Sequence, residues 1–146
     1  MWKLDSQKAF ATVNHSILSK NLEHYGVRGL ANNWFRSYLT NRKQFVSIDG
    51  FESTPQDMKY GVPQGSVLGP LLFLIYINDL SHAIKYCTTH HFADDTNFLY
   101  VAKSIKKIQK YVNLDLRFLC NWLKANKISL NASKTEMLIF RDPRKT

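Results

Sequence analysis

Apolar positions step through residues 17 to 39 at helical spacing. Ile17, Leu18 and Leu22 share one face of a helix that Asn14 can cap and Gly26 can stop. Leu30, Trp34, Phe35, Tyr38 and Leu39 share one face of a second helix, and both faces are expected to pack into a core, Trp34 included. The period then changes to two. "QFVSIDGFES" alternates around Asp49-Gly50, a dipeptide that tolerates the positive φ angles of a type I′ turn, which predicts a β-hairpin. Pro63-Gln64-Gly65 interrupts the chain, and Ser66 is placed to cap a helix from Val67 to about Tyr86, with Pro70 tolerated in its first turn. That helix should be buried along most of its N-terminal half.

Two short strands are expected within residues 87 to 102. From Ser104 onward, Ile105, Ile108, Val112, Leu116, Leu119 and Leu123 recur every three or four positions, an amphipathic helix of about six turns with Trp122 on its buried side. Its outer face carries Lys106, Lys107, Lys110, Arg117 and Lys124, which could meet phosphates or simply be solvated. "ISLNASKTEMLIF" predicts two further strands around a turn at Asn131 to Ser133, and "WKLD" the end of a strand closing on Asp5. No repeat, low-complexity tract or linker divides the chain. The 146 residues, 45% hydrophobic and 13% aromatic, therefore read as a single α+β domain with material for a core.

Charge narrows the choice of partner. Lys and Arg number 20 against 11 Asp and Glu, a net charge of +9, so the surface should attract polyanions, nucleic acid first among them. Cys87 and Cys120 have no C-x-x-C companion, which offers neither a zinc knuckle nor a disulfide framework and suits an intracellular setting, nuclear or cytoplasmic. No apolar run near Met1 suggests a signal peptide, and the apolar stretch from Val67 to Ile77 is too short to span a bilayer, so no membrane role is expected.

One stretch breaks the pattern. "HHFADDTNFLY" puts Asp94 and Asp95 side by side within strand-like sequence, where neighbouring side chains point to opposite faces. A tight turn at the acids resolves the geometry but not the repulsion, which at about 4 Å and an effective dielectric near 20 is about 4 kcal/mol. A divalent cation would offset it. Mg²⁺ takes oxygen ligands and keeps waters and substrate phosphates in its other positions, so two or three carboxylates suffice. Asp5, closing its own strand, is the natural third member of a cluster suited to two-metal phosphoryl transfer. A bare pair of acids is also what a solvated β-turn carries.

Four stretches in order resemble the palm motifs of reverse transcriptases, most closely those of non-LTR (LINE-like, jockey-like) retrotransposons. "LDSQKAFATVNH" is similar to the first motif, usually written LDLSKAFDTVNH; "YGVPQGSVLGPLLFLIYINDL" is similar to the second, "FADDTNFLY" to the third and "NWLKANKISLNASKTEMLIF" to the fourth. The resemblance spans nearly all of residues 4 to 141. It implies a polymerase palm, a small antiparallel sheet packed on helices, present over residues 1–146 as a partial reverse transcriptase domain of a larger polyprotein and lacking fingers and thumb. It also implies an RNA-directed DNA polymerase that uses an RNA template, a DNA primer and dNTPs.

Residue by residue, the resemblance makes Asp5, Asp94 and Asp95 the catalytic ligands of two Mg²⁺ or Mn²⁺ ions. Phe10 takes the place of the aromatic that blocks a ribose 2′-hydroxyl. Pro63, Gln64, Gly65 and Ser66 match the turn at the nucleotide and template, where Gly65 permits close backbone approach and Gln64 meets template or base. Lys134 matches a lysine that offsets triphosphate charge or protonates the leaving pyrophosphate. The chain departs from the pattern at Ala11, where the family usually has a second aspartate, and at Phe92, where Tyr is commoner.

With fingers and thumb missing, the isolated chain is expected to be inactive or nearly so and to expose apolar surface; its oligomeric state is left open. The alternative is a non-catalytic nucleic-acid-binding remnant of a transposable element. A nuclease with the same metals would leave "GVPQGS" and Phe10 without a task. Two other candidates are weaker. His90 and His91 are neighbours on a strand and face opposite ways, so both do not join one metal site, and Asp79 is expected to serve helix structure.

Overall fold

A computed structural model describes residues 2–5, 9–92, 95–129 and 135–140, with residues 2–5, 9 and 92 described by their backbone. Mixed helices and small antiparallel sheets make this an α+β chain, in two units: Phe10–Tyr76, and Met1–Ala9 together with Ile77–Thr146.

In the first unit, a one-turn helix, α1 (Ala9–Thr12), leads to α2 (His15–His24). The Asn14 side chain accepts hydrogen bonds from the Ser16 and Ile17 N–H groups, both at 3.1 Å, the cap expected of that residue. The helix closes where Gly26, at φ +92°, donates to the Glu23 carbonyl and Val27 donates to that of Leu22, a Schellman closure that uses the glycine's freedom. Helix α3 (Leu30–Leu39) departs from expectation. Its buried residues are Asn32 and Leu39, while Leu30 is 88% and Trp34 55% exposed. The reason is a polar clasp. Ser19 Oγ donates to Asn32 Oδ1 at 2.9 Å, Asn32 Nδ2 donates to the Ser19 carbonyl and Arg36 Nε donates to Ser19 Oγ at 2.6 Å, which turns the Asn32 side of α3 toward α2.

The hairpin is present. Strands β3 (Ser47–Ile48) and β4 (Phe51–Glu52) pair around Asp49 and Gly50, both at positive φ, as a type I′ turn requires. Outside them β2 (Lys43–Gln44) pairs with β5 (Gln56–Asp57). Helix α4 (Leu68–Ile77) then begins behind Ser66, whose Oγ accepts from the Gly69 N–H at 2.9 Å. Leu72, Phe73 and Tyr76 join Val13, Leu18, Leu22, Leu39 and Val62 in this unit's core. Leu71 and Leu74 are about half exposed, so less of α4 is buried than its composition predicts.

The helix predicted to run to Tyr86 stops at Ile77 and tightens into a 3₁₀ segment over Asn78–Ala83. Beyond it Ile84 is extended, and the N–H groups of Lys85 and Tyr86 donate to the Asp115 carboxylate instead of to helix carbonyls. This second unit is built on a four-stranded antiparallel sheet in the order β6-β7-β1-β8, with β1 Trp2–Asp5, β6 Thr88–Phe92, β7 Asp95–Leu99 and β8 Glu136–Met137. Helix α5 (Ile105–Ala125) starts at its Ser104 cap and buries Asp115, Leu119, Trp122 and Leu123, while Ile105 at its start is half exposed. Trp122 is in the core as expected. Its Nε1 donates to Asp79 Oδ1 at 3.1 Å, which gives that acid a structural task.

Of the two strands predicted in residues 128–140, only the second is seen among the described residues. The N–H of Ile128 donates to the Leu123 carbonyl and that of Lys127, at φ +53°, to that of Lys124, so Ile128 belongs to the closure of α5. The turn expected at Asn131 to Ser133 lies outside the described residues. No helix among them is long and apolar enough to cross a membrane.

Candidate active site

Antiparallel register decides which residues can meet across the sheet. Strand β1 lies against β7 with Trp2 opposite Phe98, Lys3 opposite Asn97, Leu4 opposite Thr96 and Asp5 opposite Asp95. Phe98 and Thr96 are 1% and 3% exposed, whereas Asp95 and Asn97 alternate with them on the more open side. A slip of one residue would move Asp5 out of register with Asp95. Directly opposed positions in such a pair have Cβ atoms about 5 Å apart. Phe92 pairs with Asp95. Asp94 and Lys134 lie outside the described residues, and of Asp5 only the backbone is described.

Aspartate carboxylates are hard, anionic donors of the kind that suits Mg²⁺ or Mn²⁺, and among the three predicted ligands the register pairs the backbones of Asp5 and Asp95. No group of three or more His, Cys, Asp or Glu converges among the described residues. His91 has a different partner. Its Nδ1 lies 3.1 Å from Thr96 Oγ1, and burial, reinforced by the neighbouring His90, holds the imidazole below its ordinary range.

The residues predicted on the nucleotide side belong to the unit of α2–α4. Phe10 is half-buried, its ring 4.7 Å from that of Phe73 on α4. Its carbonyl accepts from the Val62 N–H at 2.8 Å, which fastens Phe10 to the residue just before Pro63. Gln64 and Gly65 are exposed, and Gly65 stands at φ +77° with open space where a Cβ would be. Ser66 Oγ donates to the Pro63 carbonyl at 2.8 Å while accepting from Gly69, so one hydroxyl both closes the turn and starts the helix. Its role here is to shape the turn.

Three structural residues escaped sequence reasoning. Gly61, at φ +90°, lies so close to α1 that a Cβ would stand 2.9 Å from Ala11 Cα. Gly69 faces the Pro63 carbonyl, closer than any side chain allows. Both glycines sit in "YGVPQGSVLGP", and nothing in helical or strand periodicity marks them. Ala11 is itself exposed, so the contact with Gly61 is made by its backbone and packing does not demand alanine there. The third is Asp115, in step with Val112 and Leu119 on the apolar stripe of α5, a position where an acid signals a buried partner.

Cys87 is close to Tyr100 and Asp115. Burial pushes its thiol up to about 11 from an ordinary 9.0, the Asp115 charge adding to the shift and a hydrogen bond with Tyr100 opposing it. Burial raises the Tyr100 phenol as well, with Cys87 and Asp115 contributing. A thiol with a raised folded-state pKa contributes stability that is whole below pH 9 and is lost as the pH climbs through about 11. The melting temperature should therefore fall between those limits, and less steeply in Cys87→Ala. With a maleimide near neutral pH, exposed Cys120 should label first and Cys87 lag; equal rates would refute this.

The described residues thus form an α+β chain whose sheet sets Asp5 opposite Asp95, the first residue of β7. Residues 1–145 match the family described as reverse transcriptase (RNA-dependent DNA polymerase), and the chain belongs to that family. It is 31% identical over 145 residues to the probable RNA-directed DNA polymerase from transposon BS of Drosophila melanogaster, covering 90% of this chain and 15% of that protein. To the RNA-directed DNA polymerase from mobile element jockey of the same species it is 31% identical over 116 residues, 72% of this chain and 12% of that one. To the probable polymerase from transposon X-element it is 30% identical over 159 aligned positions, 98% of this chain and 16% of that one. All three are polymerases named for a transposon or mobile element, and this chain spans 12 to 16% of their length.

Proposed function

We propose that the chain is the palm of an RNA-directed DNA polymerase of a non-LTR retrotransposon, a partial reverse transcriptase domain that works inside the cell on an RNA template, a DNA primer and dNTPs. The observation that carries this reading is the register of Asp5 opposite Asp95 in a chain of the reverse transcriptase family. Asp5, Asp94 and Asp95 would hold two Mg²⁺ or Mn²⁺ ions. Bound there, such ions supply activation of the primer 3′-hydroxyl and neutralisation of charge on the triphosphate. Phe10, steadied by Phe73, would exclude a ribose 2′-hydroxyl, and Gly65 would admit the base pair against bare backbone. Gln64 would meet template or base from the turn that Pro63 and Ser66 shape, and Lys134 would face the triphosphate.

The test joins metal binding to chemistry. Mn²⁺ binding to this chain, followed by the spin-resonance signal of the free ion, should weaken about tenfold or more in Asp95→Asn, since even outer-shell partners of a metal are worth that much. Primer extension on poly-rA should be weak in this chain, which spans 12 to 16% of its relatives, and absent when Asp94→Asn and Asp95→Asn are combined. Unchanged Mn²⁺ affinity in Asp95→Asn would sink the metal site. Absence of extension in both proteins, with nucleic-acid binding intact, would favour the non-catalytic remnant.

A further inference from the structure

Trp34 and Tyr38 are core residues by periodicity, yet the indole lies outside. Trp34 stacks on Tyr38 with ring centroids 5.5 Å apart and 8° between their planes, and Arg42 sets its guanidinium 5.7 Å from the Tyr38 ring centre. Residues 34, 38 and 42 are each four apart, so the three form a ladder running along α3 and off its end. Phe35 meets the indole edge-on at 5.1 Å and helps fix its plane. A stacked, oriented aromatic pair loses little freedom when something planar lands on it.

The surrounding charge says what that something is. From Glu23 to Asp49 the sequence holds no acid in between, while Arg28, Arg36 and Arg42 fall in the interval; Lys43 is set opposite Asp57 in the β2–β5 pair. An apolar protein segment would use the indole but gain nothing from this one-sided charge. A duplex would meet the charge but keep its base faces hidden. A single strand offers both phosphates and exposed base faces, and successive bases stack on aromatics with little regard to sequence. We propose that Trp34, Tyr38 and Arg42 form a stacking platform for a single-stranded stretch of nucleic acid, made of residues other than the carboxylates and the Pro63–Ser66 turn. It does not rest on the polymerase reading.

The test is fluorescence anisotropy on this chain with labelled oligo-dT and oligo-rU of about 12 nucleotides, within the range one such site covers, and with a duplex of equal length. Chelator is present and dNTP absent, so the result stands apart from primer extension. Trp34→Leu, and separately Tyr38→Leu, should weaken single-strand binding about fivefold to fiftyfold and duplex binding less than about twofold. Arg42→Gln should reduce the slope of log affinity against log salt by about 0.7. Tryptophan emission of the unmodified chain should be quenched by oligo-dT, and that quenching lost in Trp34→Leu.

Unchanged single-strand affinity in a folded Trp34→Leu overturns the proposal, as does an equal loss on the duplex, which would make the surface one of charge alone. If Trp34→Leu abolishes self-association in sedimentation without touching oligonucleotide affinity, a second copy covers the face and the proposal fails. Should that variant misfold, the unmodified chain decides: no quenching at saturating oligo-dT is also a refutation.

Discussion

Asp115→Ala is expected to destabilise the chain by about 3 kcal/mol, read as a lower urea midpoint in far-UV circular dichroism. The carboxylate is 1% exposed, and its oxygens accept from the Lys85 N–H at 3.0 Å and the Tyr86 N–H at 3.1 and 3.3 Å. Hydrogen bonds to a charged group contribute about 1.5–3 kcal/mol each, and a donor left buried without a partner costs about 1–3 kcal/mol. Both N–H groups are only part-buried, so water recovers some of the loss and the two terms do not add in full. Asp115→Asn keeps one acceptor oxygen and should cost about half as much. The effect should be local as well as global, with faster hydrogen exchange at Lys85 and Tyr86 than elsewhere in the unit. A loss under about 1 kcal/mol with those amides still protected would show that the 3₁₀ segment ends for another reason.

That carboxylate also marks where sequence reasoning ran out. The Asn14 cap, the Gly26 closure, the Asp49-Gly50 turn and the long amphipathic α5 were legible because each depends on residues within a few positions of one another. The failure of the predicted helix to reach Tyr86 was not, because the Lys85 and Tyr86 N–H groups are taken by Asp115 some thirty residues on, and a uniformly apolar run such as "LLFLIYI" has no polar face to say how far it continues. Trp34 misled for a related reason. Periodicity marks an apolar stripe, but the Ser19, Asn32 and Arg36 clasp chose which side of α3 faces inward, and polar clasps leave no period. The acidic positions stood out by their oddity and by motif, and among them the structure describes the pairing of Asp5 with Asp95. Their register is a property of the sheet, which no local pattern contains.

Gly61→Ala is expected to cost about 3 kcal/mol, and the comparison with Gly65→Ala separates its two causes. Gly61 stands at φ +90°, where any side chain is strained by about 1–2 kcal/mol. An added Cβ would also stand 2.9 Å from Ala11 Cα and 3.0 Å from the carbonyl oxygens of Phe10 and Ala11. Those atoms are backbone and cannot swing away, so relief requires the two segments to separate, at an overpacking cost of about 1–3 kcal/mol. Separation would strain bonds that hold them together. The Gly61 N–H donates to the Val13 carbonyl and the Val62 N–H to that of Phe10, both at 2.8 Å, and His15 Nε2 donates to the Gly61 carbonyl at 2.7 Å. Gly65 shares the positive φ, at +77°, but has nothing within 4 Å of a would-be Cβ, so its replacement should cost only the conformational strain, about 1–2 kcal/mol. Equal losses for the two variants in urea denaturation would mean that the approach to α1 is loose. A larger loss at Gly61 would show that the link from Phe10 to the Pro63–Ser66 turn is set by backbone contact, with glycine the one residue that permits it.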